Sequence, residues 1–223
     1  MARTMRCCIA LTILLLFVSA EASDFIHPKL KAREVTIRSV MVLPAHVDMA
    51  KHGVKGTEGM GQEADEAAAQ LVFEVSKALT NRGLSVEKPF TEDALKDNDE
   101  LRTAMADVQQ RFDEIERQLF KKEKDIRKGR FTLGDSVAIL NAKGTTDALV
   151  IVRSTGNKET KGKAFMTGGL LGMAMSGDAM FRSRVALVDA KTGDILFMGD
   201  YISKGLPKDK TYEKSFKNIP FAQ

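Results

Sequence analysis

The segment Asp147–Val152, with the sequence DALVIV, limits the possible folds more than any other part of the chain. Its last five residues are all apolar, so apolar and polar positions do not alternate along it. A strand of that composition is typical of the centre of a sheet whose two faces are both covered, usually by helices. The segment therefore predicts a layered α/β protein.

Further strands and helices on both sides of this segment fit that prediction. Runs rich in β-branched residues predict strands, and an apolar stripe that ends at a glycine predicts a helix. The predicted strands are Val35–Leu43, Leu84–Lys88, Phe181–Val188 and Asp194–Ile202, and the predicted helices are Gln62–Arg82 and Thr132–Ala142. A turn joins the last two strands into an antiparallel hairpin. Residues 45–61 contain four glycines and are expected to form a loop.

These elements predict one α/β domain over residues 23–203. Its core is a single mixed sheet flanked by helices, with a carboxyl-terminal antiparallel hairpin and a long charged helical insertion at residues 93–128. Residues 204–223 are basic and polar and include Pro207 and Pro220. We expect them to form a loosely ordered tail.

The insertion carries a regular apolar stripe. Its apolar residues follow spacings of 4, 3, 4, 3 and 4, as in a coiled-coil heptad, and they are Leu101, Met105, Val108, Phe112, Ile115 and Leu119. Two interpretations remain open. The stripe packs on the chain's own sheet, or it is an interaction face for another copy or a partner protein.

The segment Ala164–Phe181 is apolar, rich in methionine and glycine, and carries only one charge, Asp178. Gly168 and Gly172 form a GxxxG pair, which lets helices approach closely in a membrane. A loop over the sheet edge, a partner-binding patch and a membrane-inserted hairpin are three alternatives. The candidate apolar partner residues are Phe165, Met166, Leu170, Leu171, Met173 and Met175.

Residues 1–22 have the layout of a secretory signal peptide. Arg3 and Arg6 precede the apolar run Ile9–Val18, and small residues flank Glu21. The predicted cleavage site is Ala22–Ser23, with Ala20–Glu21 as the alternative. Cleavage also removes Cys7 and Cys8, the only cysteines. We expect an exported protein in the periplasm or outside the cell, with peripheral attachment to the outer membrane as an option.

The charge distribution argues against a nucleic-acid partner. The chain has 34 basic and 30 acidic residues, a net charge of +4, and the two signs are interspersed without a long basic block. Contact with a membrane is compatible with the sequence but is not required by it.

Three motifs are candidates for a metal, nucleotide or catalytic site. His46, Asp48 and His52 lie in a loop without a cysteine, which gives zinc no spaced ligand set. The glycine-rich residues 53–61 lack the spacing of nucleotide-binding motifs. Gly134–Val137 is similar to a lipase block, but no histidine follows His52 to serve as its base. The sequence thus predicts no catalytic residue, cofactor, metal or small-molecule substrate.

Several motifs together resemble a group of bacterial envelope proteins. They are Val40–Pro44, Asn81–Leu84, Leu133-Gly134, Asp147–Val152 and the hairpin Val185–Phe197. The pattern resembles the group that contains the curli-secretion protein CsgG, the amino-terminal domain of TolB and the penicillin-binding-protein activator LpoB. The resemblance implies a small α/β domain that binds other envelope proteins or assembles into oligomers, and it offers no catalytic residue.

From these observations we expect an exported, noncatalytic accessory or assembly protein of the cell envelope. Its partners are expected to be other envelope proteins or further copies of itself. One alternative is a subunit of an oligomeric secretion channel or pore. A second alternative is an exported hydrolase, which would need a nucleophile–base pair or a metal set.

Overall fold

A computed structural model describes residues 24–88, 90, 95–160, 166 and 179–221. A mixed sheet lies at its centre. The strands are β1 (Phe25–Ile26), β2 (Ser39–Val42), β3 (His46–Gly53), β4 (Gly56–Gly59), β5 (Ser85–Glu87), β6 (Ala148–Glu159), β7 (Met180–Asp189) and β8 (Ile195–Lys204). The helices include α1 (Pro28–Lys31), α2 (Gly61–Asn81), α3 (Asp99–Arg127), α4 (Ser136–Leu140) and α5 (Asp209–Phe216).

The strand order is β1-β8-β7-β6-β2-β5, and β3 and β4 lie beside the second half of β6. Strand β2 is parallel to β5 and β6, and β3 is also parallel to β6. Strands β6, β7, β8 and β1 are successively antiparallel. The predicted α/β class, with one mixed sheet and a carboxyl-terminal antiparallel hairpin, is therefore confirmed.

Helices cover both faces of this sheet, as the composition of Asp147–Val152 predicts. We call the two sides the α2 face and the α3 face. The α2 face packs against α2 and α5, and its buried strand residues include Val40, Val42, Ala148, Val150, Val185 and Leu187. The α3 face packs against α3 and α4, and its buried strand residues include Leu149, Ile151, Ala186, Val188, Ile195 and Met198.

The apolar stripe of α3 belongs to this second core layer. Met105, Val108, Phe112 and Ile115 are between 0% and 6% exposed, and Leu101 is partly buried against the same cluster. Leu119 is part of the helix, but its side chain lies outside the described part of the chain. The interpretation of the stripe as an interaction face is therefore corrected, because the chain's own sheet already covers it.

Residues 45–61 differ from the predicted loop, since they contain the β3–β4 hairpin. Strand β6 continues past Val152 to Glu159 and gives β3 a parallel partner, from the pair His46↔Arg153 to the pair His52↔Glu159. The residues of β3 are exposed or partly buried and none is fully buried; Val47 and Met49 give only a short apolar alternation. The four glycines of residues 45–61 favour a loop, and this apolar signal is too short to outweigh them.

The carboxyl-terminal segment also differs from the prediction of a loosely ordered tail. It contains α5, in which Tyr212 and Phe216 are fully buried. Their rings contact Tyr201 and Phe197 edge-on, with centroid distances of 4.9 Å and 5.7 Å. Residues four apart lie on one side of a helix, so two aromatic side chains are enough to anchor this short element.

Some of the predicted segments cannot be compared with the structure. Residues 1–22 lie outside the described part of the chain, as do five of the six candidate residues of the apolar partner segment, namely Phe165, Leu170, Leu171, Met173 and Met175. Met166 is described, and it is 73% exposed. Among the helices of the described residues, none has the length and apolar character that a membrane span requires.

Candidate interaction surface at the end of the sheet

One end of the sheet extends past the cover that α3 provides. We call this end the sheet tip and define it as the β3–β4 hairpin with residues 153–159, 180–184 and 200–204. On the α3 face of β6, buried Leu149 and Ile151 are followed by Arg153 and then by exposed Thr155 and Asn157. Because side chains alternate along a strand, all five lie on one face. Within the described residues, the sheet tip is therefore helix-covered on one face only.

Ion pairs join α3 to the strands where its cover ends. The guanidinium of Arg153 lies 3.2 Å from a carboxylate oxygen of Asp48, 3.1 Å from Asp113 and 3.6 Å from Glu116. The Arg153 side chain is 22% exposed. A single arginine thus links β6 to β3 and to two turns of α3.

Two arginines of β7 extend this network to β8. Arg184 lies 2.8 Å from Glu116 and 3.3 Å from Asp200, and its side chain is only 12% exposed. Arg182 donates two hydrogen bonds of 3.1 Å through its Nε to the two carboxylate oxygens of Asp200. Partly buried ion pairs that share partners hold their geometry more firmly than isolated surface pairs. The network therefore braces the sheet tip against α3.

The two central carboxylates of this network respond differently to their surroundings. Burial raises the pKa of Glu116 above its ordinary value, although Arg184 and Arg153 act in the opposite direction. Burial also raises the pKa of Asp200, but hydrogen bonds and charge from Arg182 and Arg184 outweigh it, so that pKa is lowered. Asp200 is therefore the firmly ionised anchor of the arginine pair.

A shallow polar cavity of about 180 Å³ opens between these strands. It is lined by Glu116, Arg153, Ser154, Thr155, Arg182 and Arg184. Each of its three arginines already contacts a carboxylate. The lining is therefore charge-compensated, which makes the cavity a part of the brace and a poor candidate for holding an anion.

Exposed apolar side chains concentrate at the sheet tip. Among the described residues, the large apolar side chains that are most exposed are Val54 (60%), Phe73 (60%), Met166 (73%), Met180 (48%) and Ile202 (63%). Three of these belong to the sheet tip: Val54 in the hairpin turn, Met180 on β7 and Ile202 on β8. The register pairs Arg182↔Ile202 and Met180↔Lys204 place Met180 and Ile202 diagonally on the α3 face.

The residues first weighed as metal ligands form hydrogen bonds within the sheet tip. The two imidazole nitrogens of His52 lie 2.9 Å from the Thr57 hydroxyl and 3.0 Å from the Asn157 side-chain oxygen. His46 Nε2 lies 3.4 Å from Asp48, which also contacts Arg153. Within the described ranges, no group of three or more histidine, cysteine or acidic side chains has the arrangement of a metal site.

Sequence analysis did not single out the arginine network. A usable signal was present, because Arg182 and Arg184 occupy alternate positions of one predicted strand and Arg153 directly follows an apolar run. Alternate charges on a strand point to one face. What the sequence does not show is that β6 and β7 are neighbours, which brings the three arginines to the same end of the sheet.

The comparisons with known proteins give fold similarity without sequence similarity. No protein-family model matches the chain, and no curated protein is significantly similar to it in sequence. Among solved structures, the PelC dodecamer from Paraburkholderia phytofirmans is 10% identical with a TM-score of 0.42, over 91% of this chain and 98% of that chain.

Two further solved structures are similar over much of the chain. Lipoprotein GNA1162 from Neisseria meningitidis is 13% identical with a TM-score of 0.33, over 74% of this chain and 79% of that chain. The LpoB C-terminal domain from Salmonella enterica is 13% identical with a TM-score of 0.29, over 78% and 89%. LpoB belongs to the group that the sequence motifs resemble. Similarities of this size say nothing about what this chain binds.

Proposed function

We propose that this chain is an exported, noncatalytic accessory or assembly protein of the bacterial cell envelope that acts by binding proteins through its sheet tip. The observation that carries the proposal is the exposed apolar surface of Val54, Met180 and Ile202 on a braced end of the sheet. Exposed apolar groups with polar neighbours are typical of protein-binding surfaces. The arginine network holds this surface in one shape, which lowers the entropy cost of binding.

The start of the fold supports the export part of the proposal. Cleavage at Ala22–Ser23 leaves Asp24 and the whole of β1 in the mature chain. Phe25 and His27, directly after the predicted site, are 8% and 4% exposed and pack into the fold. Cleavage at Ala22–Ser23 therefore keeps the buried residues Phe25 and His27 in the mature chain.

Export is tested by producing the full chain in a Gram-negative host and separating the cell fractions. We expect a periplasmic or extracellular product whose intact mass corresponds to a chain beginning at Ser23. A cytosolic product that retains Met1 to Ala22 would contradict the proposal. An Ala20→Arg, Ala22→Arg double variant is the control, because bulky charged residues block a cleavage site of this kind.

Binding through the sheet tip is tested by placing a photo-crosslinking amino acid at Ile202 or at Phe73 in the exported chain. Both side chains are about equally exposed, at 63% and 60%, but Phe73 lies on α2 and away from the sheet tip. We expect discrete protein adducts from position 202 and few from position 73. Equal yields from the two positions would contradict the role of the sheet tip.

A further inference from the structure

Within the part of the chain that the structure describes, the outer edge of β8 is only partly covered. Strand β1 pairs with β8 at Phe25↔Met198 and Ile26↔Phe197 and reaches no further along it. Among the strands of the described residues, none pairs with the outer edge of β8 from Gly199 to Ser203. An open strand edge offers backbone donors and acceptors to another strand.

The β1 register shows which residues of β8 direct their backbone groups outward. The backbone N–H of His27 donates to the carbonyl of Leu196 over 2.8 Å, so Leu196 belongs to a hydrogen-bonded pair. Such pairs recur at every second residue of an antiparallel ladder. Asp200 and Ile202 therefore direct their N–H and C=O groups to the open edge, while their side chains lie on the α3 face with Met198.

We propose that this edge pairs with the same edge of a second copy, antiparallel, around a two-fold axis at Ile202. The inference rests on the proposed function and deepens it by naming the partner. In this register Ile202 faces Ile202 of the other copy, and Asp200 faces Lys204. The interface is thus self-complementary, as a two-fold contact has to be. Apolar faces apolar at the axis, and each Lys204 faces the Asp200 that Arg182 and Arg184 of its own chain already hold.

Other registers of the same two strands lose this complementarity. An axis at Lys204 places like charges directly opposite each other, which is destabilising. An axis at Asp200 crowds two carboxylates together with the arginines that hold them. An axis halfway between Ile202 and Asp200, or between Ile202 and Lys204, places Ile202 opposite that charged residue. The residues that carry outward backbone groups therefore select a single register.

A single cysteine tests the register. The full chain is produced with Cys7→Ser and Cys8→Ser, so the introduced thiol is the only one. In a hydrogen-bonded antiparallel pair the two Cα atoms are about 5.5 Å apart, which suits a disulfide. We expect Ile202→Cys to give a covalent dimer under mild oxidation, at a yield about tenfold above that of the controls.

The controls are Lys204→Cys and Val54→Cys. Lys204 lies on the same strand and face as Ile202 and is exposed, but its two copies are about 14 Å apart in the proposed register, which excludes a disulfide. Val54 is 60% exposed in the hairpin turn and reports random collision. A Lys204→Cys yield equal to that of Ile202→Cys would overturn the proposal, and so would a disulfide between Ile202→Cys and an unrelated protein.

The size of the unmodified protein is the second measurement. We expect a dimer at micromolar concentration and a monomer for Ile202→Lys, which places two ammonium groups at the axis. Phe73→Lys is the control and should remain a dimer. Circular dichroism should be unchanged in both variants, since both side chains are exposed. A monomeric unmodified protein would overturn the proposal.

The two proposals fail in different ways. A processed, exported chain that is monomeric and forms no disulfide at position 202 overturns the dimer and leaves the proposed function standing. A full-length chain that keeps residues 1–22 in the cytosol overturns the proposed function itself. The intact mass of the purified protein distinguishes these two outcomes.

Discussion

Replacement of Phe112 by alanine tests whether α3 is a core helix. Phe112 is 1% exposed and belongs to the cluster on the α3 face with Leu133 and Ile151. Truncation of a fully buried phenylalanine removes its apolar contacts and leaves a cavity, at a cost of about 3–5 kcal/mol. The total stability of a domain is only about 5–15 kcal/mol. We therefore expect Phe112→Ala to lose a large fraction of its free energy of unfolding.

The assay is urea unfolding of the exported protein, followed by circular dichroism. Phe73→Ala is a matched control, because the substitution is the same but Phe73 is 60% exposed. Its free energy of unfolding should change by less than about 1 kcal/mol. If Phe112→Ala unfolds at the same urea concentration as the unmodified protein, then α3 does not form the core layer and the described packing is refuted.

Gly156→Ala should lower the free energy of unfolding by about 1–3 kcal/mol, because its new Cβ would lie 2.8 Å from the buried ring of Phe181. Gly59→Ala is the control in urea unfolding, since nothing lies within 4 Å of its new Cβ; equal losses would contradict the packing. The lowered pKa of Asp200 means that its ionised form stabilises the fold fully above its ordinary value of 3.8 and that this stability disappears as pH falls through the lowered value. The difference in free energy of unfolding between the unmodified protein and Asp200→Asn should therefore shrink below pH 3.8. A difference that stays constant with pH would show that the ionised Asp200 carboxylate does not stabilise the fold.

The predicted parts of the fold are those whose signal lies within one segment. The sequence Asp147–Val152 identifies a doubly covered strand from its own composition, and the structure places it in the centre of the sheet. Strand β3 has no such signal, because its polar residues pair with β6 across about a hundred residues of chain. Helix α5 was missed for a similar reason, since only Tyr212 and Phe216 mark its buried side.

The role of α3 could not be decided from its own periodicity. A heptad-like stripe serves equally well as a core face and as an interface. The sheet carries the deciding information. Apolar residues at consecutive positions of β6 and β7, such as Leu149 and Val150 or Ala186 and Leu187, require a helical layer on each side. Because α2 and α5 cover one side, the stripe of α3 is needed for the other.

The same strands mark the line at which the cover of α3 ends. Ile151, Ala186 and Met198 stand side by side in one row of the α3 face and are all buried. The next row consists of Arg153, Arg184 and Asp200. Both arginines form ion pairs with Glu116 of α3, and Arg184 also pairs with Asp200.

The row beyond the ion pairs consists of Thr155, Arg182 and Ile202. A row that faces solvent does not require an isoleucine. The exposure of Ile202 alone proves little, because single exposed apolar residues are common on protein surfaces. Ile202, however, lies on the part of β8 beyond β1, where no strand of the described residues pairs with its outer backbone groups. A strand from another chain would cover both the side chain and the backbone groups of Ile202. The sequence change from apolar to charged and back to apolar along β8 therefore marks the boundary between the core of one chain and the surface that we propose pairs with the next.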